Sequence, residues 1–169
     1  IVSATLQLTT STYNDGRTNW GIDIGAYLLK REWVANQLTW NQARTGIPWS
    51  VAGAEGISTD RSATPSGVTR AQEVSAGTLP WQRAIYDWDV TSIVQSWVDN
   101  PADQAGLMLM SESGVFRDIG FFDSAYLGDA GIDLHPLLQV YWREGGPGPT
   151  PTMTPTPTVT PTSVYGAVM

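Results

Sequence analysis

Asp87 and Asp89 flank Trp88 in the run RAIYDWDV and come nearest in this chain to a catalytic pair. Residues i and i+2 of a strand share a face, so the two carboxylates can come close together. A glycosidase pair, however, needs a set separation across a cleft. The simpler reading is that they cap the helix beginning near Thr91 and solvate a surface. His135 is the single histidine; with no cysteine and no second histidine it makes a poor metal site. Asp123, Asp129 and Asp133 are weak Ca²⁺ candidates with loop carbonyls, but their spacing matches no calcium-loop motif. A solvated acidic loop is the alternative reading. The serines lack a nucleophile-elbow setting, and no glycine-rich phosphate loop precedes a helix. The expectation is no catalytic residue, no resident metal, no cofactor and no enzyme activity.

Composition narrows the partners. The chain has 169 residues, one Lys against eight Arg, and a net charge of -7. An acidic chain without a basic run is a poor nucleic-acid binder, because phosphate neutralisation supplies most of that affinity. The same balance argues against a strongly polyanionic ligand. Cysteine is absent, so there is no disulfide framework and no thiolate zinc site. No apolar run reaches membrane-spanning length. The chain opens directly into strand-like sequence without a signal peptide, which a secreted protein would have lost.

Short strands must position any site. Val2, Ala4, Leu6 and Leu8 alternate with polar residues, as do Ile22, Ile24, Ala26 and Leu28, and each set reads as a half-buried strand. Asn14-Asp15-Gly16 is a turn signal. Residues 41–80 are rich in Gly, Ser, Thr and Ala with weak periodicity, and read as a long ordered loop anchored by Trp40 and Trp49. Residues 83–90 resume a strand with Ala84, Tyr86, Trp88 and Val90 on one face. Val90, Ile93, Val94, Trp97 and Val98 then fall at helical spacing. Asp89 or Thr91 caps this helix of about 90–99, and Asn100-Pro101 ends it. Further strands are expected at 106–111, 115–122 and 137–142. Many short strands with one helix predict an all-β antiparallel sandwich, jelly-roll-like in outline.

Several runs carry a resemblance. Asp89-Val90-Thr91-Ser92-Ile93-Val94-Gln95-Ser96-Trp97 resembles the DVTxxVxxW helix of DNRLRE-type β-sandwich domains. Arg31-Glu32-Trp33 with Leu38-Thr39-Trp40-Asn41 resembles their WxE and TWN motif, though Val34 and Ala35 stand where an acidic residue usually falls. Ala105-Gly106-Leu107-Met108-Leu109, Phe122-Asp123-Ser124 and Pro136-Leu137-Leu138-Gln139-Val140-Tyr141 are similar to the family's later strands. The resemblance covers residues 1–142. It implies an extracellular or cell-surface, non-catalytic sandwich, some members being carbohydrate-binding modules, and it transfers no binding residue. The family's opening strands have no counterpart before Ile1; either the chain is cut or another segment fills their place.

Eight tryptophans are many for this length. An exposed indole stacks on the apolar face of a sugar, whereas a buried one fills a core. Trp33, Trp40, Trp88, Trp97 and Trp142 sit in the motifs above or alternate with core positions and are assigned to the core. Trp20, Trp49 and Trp81 lie near loops and are the candidate sugar platform.

The chain divides into a sandwich domain (1–144), a Pro/Thr-rich linker (145–163) and a short strand-like segment (164–169). The linker has too little apolar surface to form a core. It favours polyproline II, and residues 147–162 would reach roughly 50 Å at ~3.1 Å per residue. Thr150, Thr152, Thr154, Thr156, Thr158, Thr160 and Thr162 are candidate O-glycan acceptors. Val164, Tyr165, Ala167, Val168 and Met169 form an apolar end that can complement an open sheet edge in a neighbouring copy. Two functions follow. The first is a fibre-forming extracellular subunit whose partners are other copies, joined head to tail. The alternative is a polysaccharide-binding module tethered to an enzyme or surface protein.

Overall fold

The computed structural model describes residues 1–10, 21–72, 84–112, 119–124 and 134–144. Among the described residues, two three-stranded antiparallel sheets pack over one core, with a single helix contributing Ile93 and Val94 to it. β1 (Ser3–Thr9), β6 (Ile85–Asp89) and β8 (Leu137–Tyr141) form the first sheet in the order β6-β1-β8. β2 (Gly21–Leu28), β5 (Gly67–Gln72) and β7 (Leu107–Ser111) form the second in the order β5-β2-β7. A small hairpin pairs β3 (Gln42–Arg44) with β4 (Ile47–Pro48). The expected all-β sandwich with a single helix is the observed fold.

The period-two pattern sets the inward faces. Ala4, Leu6 and Leu8 of β1 meet Ile22, Ile24 and Ala26 of β2 in the core, joined by Ala71, Trp88, Val90 and Leu107. Val2, expected on that face, is exposed because it precedes the strand. Trp88 is fully buried, and its Nε1 donates to the Ile24 carbonyl across the sandwich at 2.8 Å. Phe121 packs edge-on to Trp88 at 5.7 Å and bridges Thr10, beyond the end of β1. Residues 115–118 of the strand expected at 115–122 lie outside the described residues, as do the turn signals at 14–16.

α1 (Thr91–Asp99) follows β6 directly. Ile93 and Val94 turn into the core, with Trp97 half-buried beside them. Val90 occupies the cap position without a side-chain bond. Asp89 does that work from one residue earlier, accepting from the Thr91 amide at 2.9 Å and its hydroxyl at 2.6 Å. These Thr91 bonds hold the Asp89 carboxyl below its ordinary range. The helix stops at Asn100, and Pro101 opens a short 3₁₀ turn.

Residues 41–80 were expected as one loop, but they contain β3, β4 and β5 as well as a 3₁₀ turn at Ala52–Ala54. β5 (GVTRAQ) was invisible to periodicity because Ala71 is its one fully buried side chain. What holds its free edge is backbone proximity to β6. The Thr69 hydroxyl donates to the Asp87 carbonyl, and the Tyr86 hydroxyl bridges the backbone of Gln72. A Cβ at Gly67 would stand 2.6 Å from the Asp89 carbonyl oxygen, so this approach needs glycine. The sandwich is therefore closed on its β5–β6 side.

A second, smaller core lies at one end of the β5-β2-β7 sheet, where Leu29, Ala43, Trp49 and Ala54 pack with Trp33, Ala105 and Met108. Among the described residues no helix is long and apolar enough to cross a membrane.

Candidate functional site

The second core opens outward as a cleft of about 580 Å³. Its floor is Leu29, Ala54 and β7 residues Leu107–Leu109, and its walls include Trp33, Leu38, Trp40 and Trp49. Each wall is placed by local chemistry. Thr45-Gly46 turns β3 into β4, with Gly46 at φ 78° where most side chains are strained. That hairpin carries Trp49 inward, to 7 % exposure, with its Nε1 donating to the Thr39 carbonyl at 3.2 Å. The Thr39 hydroxyl accepts from the amides of Asn41 and Gln42, which fixes the turn just before the hairpin. Trp33 is half-buried and donates its Nε1 to the Ala105 carbonyl at 2.8 Å.

Trp40 differs from the other two. It is 67 % exposed, and none of the described residues accepts from its Nε1. Its ring lies against Gly53, where a Cβ would stand 2.5 Å from Cη2. The Gly53 amide in turn donates to the Trp40 carbonyl at 2.6 Å.

The loop beneath is pinned by Asp60, a fully buried carboxylate. It accepts from Arg31 Nε at 2.6 Å, from the Ser50 hydroxyl at 2.6 Å and amide at 2.8 Å, and from the Val51 amide at 3.1 Å. Burial pushes the carboxyl up, but the bonds from Ser50, Arg31 and Val51 outweigh it and bring the pKa to about 2. Asp60 thus joins Arg31, two residues before Trp33, to the segment that leads to Gly53. No motif in the sequence around Asp60 marks it. Its neighbour Arg61 lies over the Tyr27 ring at 4.4 Å. Burial, with the nearby Glu112 carboxylate, raises the Tyr27 hydroxyl, against the opposing pull of Arg61.

The tryptophan assignments need correction. Trp49, expected as a sugar platform, is buried with its N–H satisfied, because the β3–β4 hairpin folds it under the loop. Trp40 and Trp142, expected in the core, are 67 % and 46 % exposed. Trp40 sits before the hairpin, outside either main sheet, and Trp142 follows the end of β8. Trp88 is in the core as expected, and Trp33 and Trp97 are half-buried against the smaller and larger cores. Trp20 and Trp81 lie outside the described residues. A signal for Trp40 was present in the sequence, since two glycines, Gly46 and Gly53, follow it within a run that lacks strand periodicity.

Asp87 and Asp89 point from the outer face of the first sheet, not into a cleft. Asp87 accepts from Gln7 Nε2 at 2.9 Å and Asp89 is engaged by Thr91. Asp123 is exposed; Asp129 and Asp133 lie outside the described residues, as do the threonines from Thr150 to Thr162 and the contact segment Val164 to Met169. Among the described residues no three acidic or histidine side chains gather as a metal cluster.

What remains as a site is an apolar, tryptophan-walled cleft at whose edge the Trp40 indole N–H has no acceptor among the described residues. Such a surface does its work by stacking and by excluding water, with little hydrogen-bond selectivity. No protein-family model, curated protein or solved structure matches this chain.

Proposed function

We propose that the chain is a non-catalytic module of the cell surface or extracellular space that binds a neutral polysaccharide in the Trp33–Trp40 cleft. The observation that carries this reading is Trp40, two-thirds exposed with its ring seated against Gly53 at the edge of an apolar cleft. An exposed indole face beside further apolar surface suits the C–H face of a pyranose ring. Trp33 and Leu38 extend the apolar surface alongside it, and Trp40 Nε1 offers a donor to a hydroxyl. The net charge of -7 favours neutral over polyanionic glycans. The resemblance to DNRLRE-type domains and the Pro/Thr linker accord with a tethered module, the linker threonines serving as O-glycan acceptors.

Affinity electrophoresis of the full chain in gels containing neutral polysaccharides tests the reading. Retardation by at least one polysaccharide, weakened at least about tenfold by Trp40→Ala, is the expected result, a loss of ~1.4 kcal/mol. Retardation that Trp40→Ala and Trp33→Ala leave unchanged would remove the cleft from consideration. The fibre-forming reading turns on residues 164–169, which lie outside the described residues; what supports the polysaccharide reading is the Trp33–Trp40 cleft.

A further inference from the structure

We infer that the polysaccharide taken by the cleft is an acetylated one, and that the acetyl group is the part that enters the cleft. The inference rests on the polysaccharide reading above and narrows it to a class of ligand.

The polar atoms of the cleft are one-sided. Two donors have no acceptor among the described residues: Trp40 Nε1 and the Thr39 hydroxyl. The Thr39 oxygen already accepts from the amides of Asn41 and Gln42, which leaves the hydroxyl its proton to donate. The Thr39 and Trp40 carbonyls already accept from Trp49 Nε1 and the Gly53 amide. No side chain that lines the cleft is charged. A ligand here meets donors, and it finds no carboxylate or amide side chain to accept from it.

The floor is apolar for a reason of register. On β7, Leu107 and Leu109 pack on the larger core, while Met108 between them packs on the smaller one. The pleat of the strand thus turns Met108 to the outer face of the sheet, where it joins Leu29 and Ala54 beneath the cleft.

A bare pyranose suits the Trp40 ring but not this floor. Each sugar hydroxyl both donates and accepts. Pressed against Leu29 and Met108 it would lose water and gain no partner, at the cost of an unsatisfied polar group. What can go deeper is an apolar branch. On an uncharged polysaccharide, the acetyl group is such a branch, carried as an amide or as an ester. Its methyl matches the floor. Its carbonyl accepts without donating, which matches Trp40 Nε1 and the Thr39 hydroxyl. The cleft volume of about 580 Å³ lies inside the ~300–1,000 Å³ of ligand pockets, with room for a sugar ring and its branch.

Calorimetric titration of the full chain with two matched pairs of soluble glycans tests the inference. Chitohexaose against cellohexaose compares an N-acetyl group with a hydroxyl on the same backbone. Acetylated glucomannan against the same polymer after alkaline deacetylation does so for the ester. In at least one pair the acetylated member should bind at least about tenfold tighter, the scale on which an apolar pocket reads one small apolar group. The pair that shows the preference identifies the amide or the ester as the form carried. In the wild-type complex, nuclear Overhauser contacts should run from the ligand's acetyl methyl to the Met108 methyl. Met108→Gln, similar in size, places an amide in the floor and should shrink the preference. Equal binding of both members of each pair, weakened by Trp40→Ala, would overturn the acetyl inference and leave the polysaccharide reading standing. Acetyl contacts that avoid Met108 would also overturn it. Binding to neither pair and to no other neutral polysaccharide would remove both readings.

Discussion

The indole of Trp40 and the backbone of Gly53 are in direct contact, so close that the smallest side chain at position 53 would collide with Cη2 at 2.5 Å. Gly53 also sits at φ 76°, in the left-handed region. One residue thus meets two demands: a backbone turn that disfavours a Cβ, and a seat for the ring that walls the cleft.

Gly53→Ala is therefore expected to strain the turn and lift Trp40 together. The loss should be about 1–3 kcal/mol in urea unfolding, from overpacking and the unfavourable φ. The Trp40 indole N–H signal in ¹⁵N NMR should shift as its ring leaves the cleft wall. Unchanged stability and an unchanged indole signal would contradict the contact.

Trp40 and Trp49 lie nine residues apart in the chain and do opposite work. Trp49→Ala empties the smaller core and should cost about 3–5 kcal/mol. Trp40→Ala removes a ring that is 67 % exposed and should change stability by under about 1 kcal/mol while weakening polysaccharide retardation. Equal destabilisation by the two substitutions would sink the distinction between core and platform.

Asp60 makes the loop under the cleft sensitive to acid. Its folded pKa of about 2 lies below the ordinary 3.8. The stabilisation is therefore fully present above pH 3.8 and is lost as pH falls towards 2. Over that window the linkage amounts to roughly 2 kcal/mol. Asp60→Asn should flatten this part of the stability–pH profile and lower stability at neutral pH, because Arg31 then loses its charged partner. A variant with the wild-type acid profile would assign the acid response elsewhere.

Trp88→Phe keeps most of the core volume but deletes the donor to the Ile24 carbonyl. Loss of this buried hydrogen bond should cost about 0.5–1.5 kcal/mol. Amide exchange should quicken on both β6 and β2, because the bond joins the two sheets. A change confined to β6 would argue against it.

Much of the sandwich was legible because its main strands bury one face. Alternation at residues 2–9, 22–28 and 84–90 located β1, β2 and β6, and the shift to helical spacing located α1. β5 was missed because Ala71 is its lone buried side chain, and a strand held by backbone approach leaves no periodic signature. Asp60 was passed over because its partners, Arg31, Ser50 and Val51, are distant in sequence or unremarkable in type.

Period-two alternation and one stretch of helical spacing were enough to specify the class of fold and the helix. Which indoles face water was decided only by the tertiary structure. Trp49 and Trp40 have the same side chain and similar local settings. A hairpin turned the first under the loop, while a glycine thirteen residues downstream held the second out in solvent. Burial is a property of the whole packing arrangement, and no local pattern encodes it for a residue outside the periodic elements.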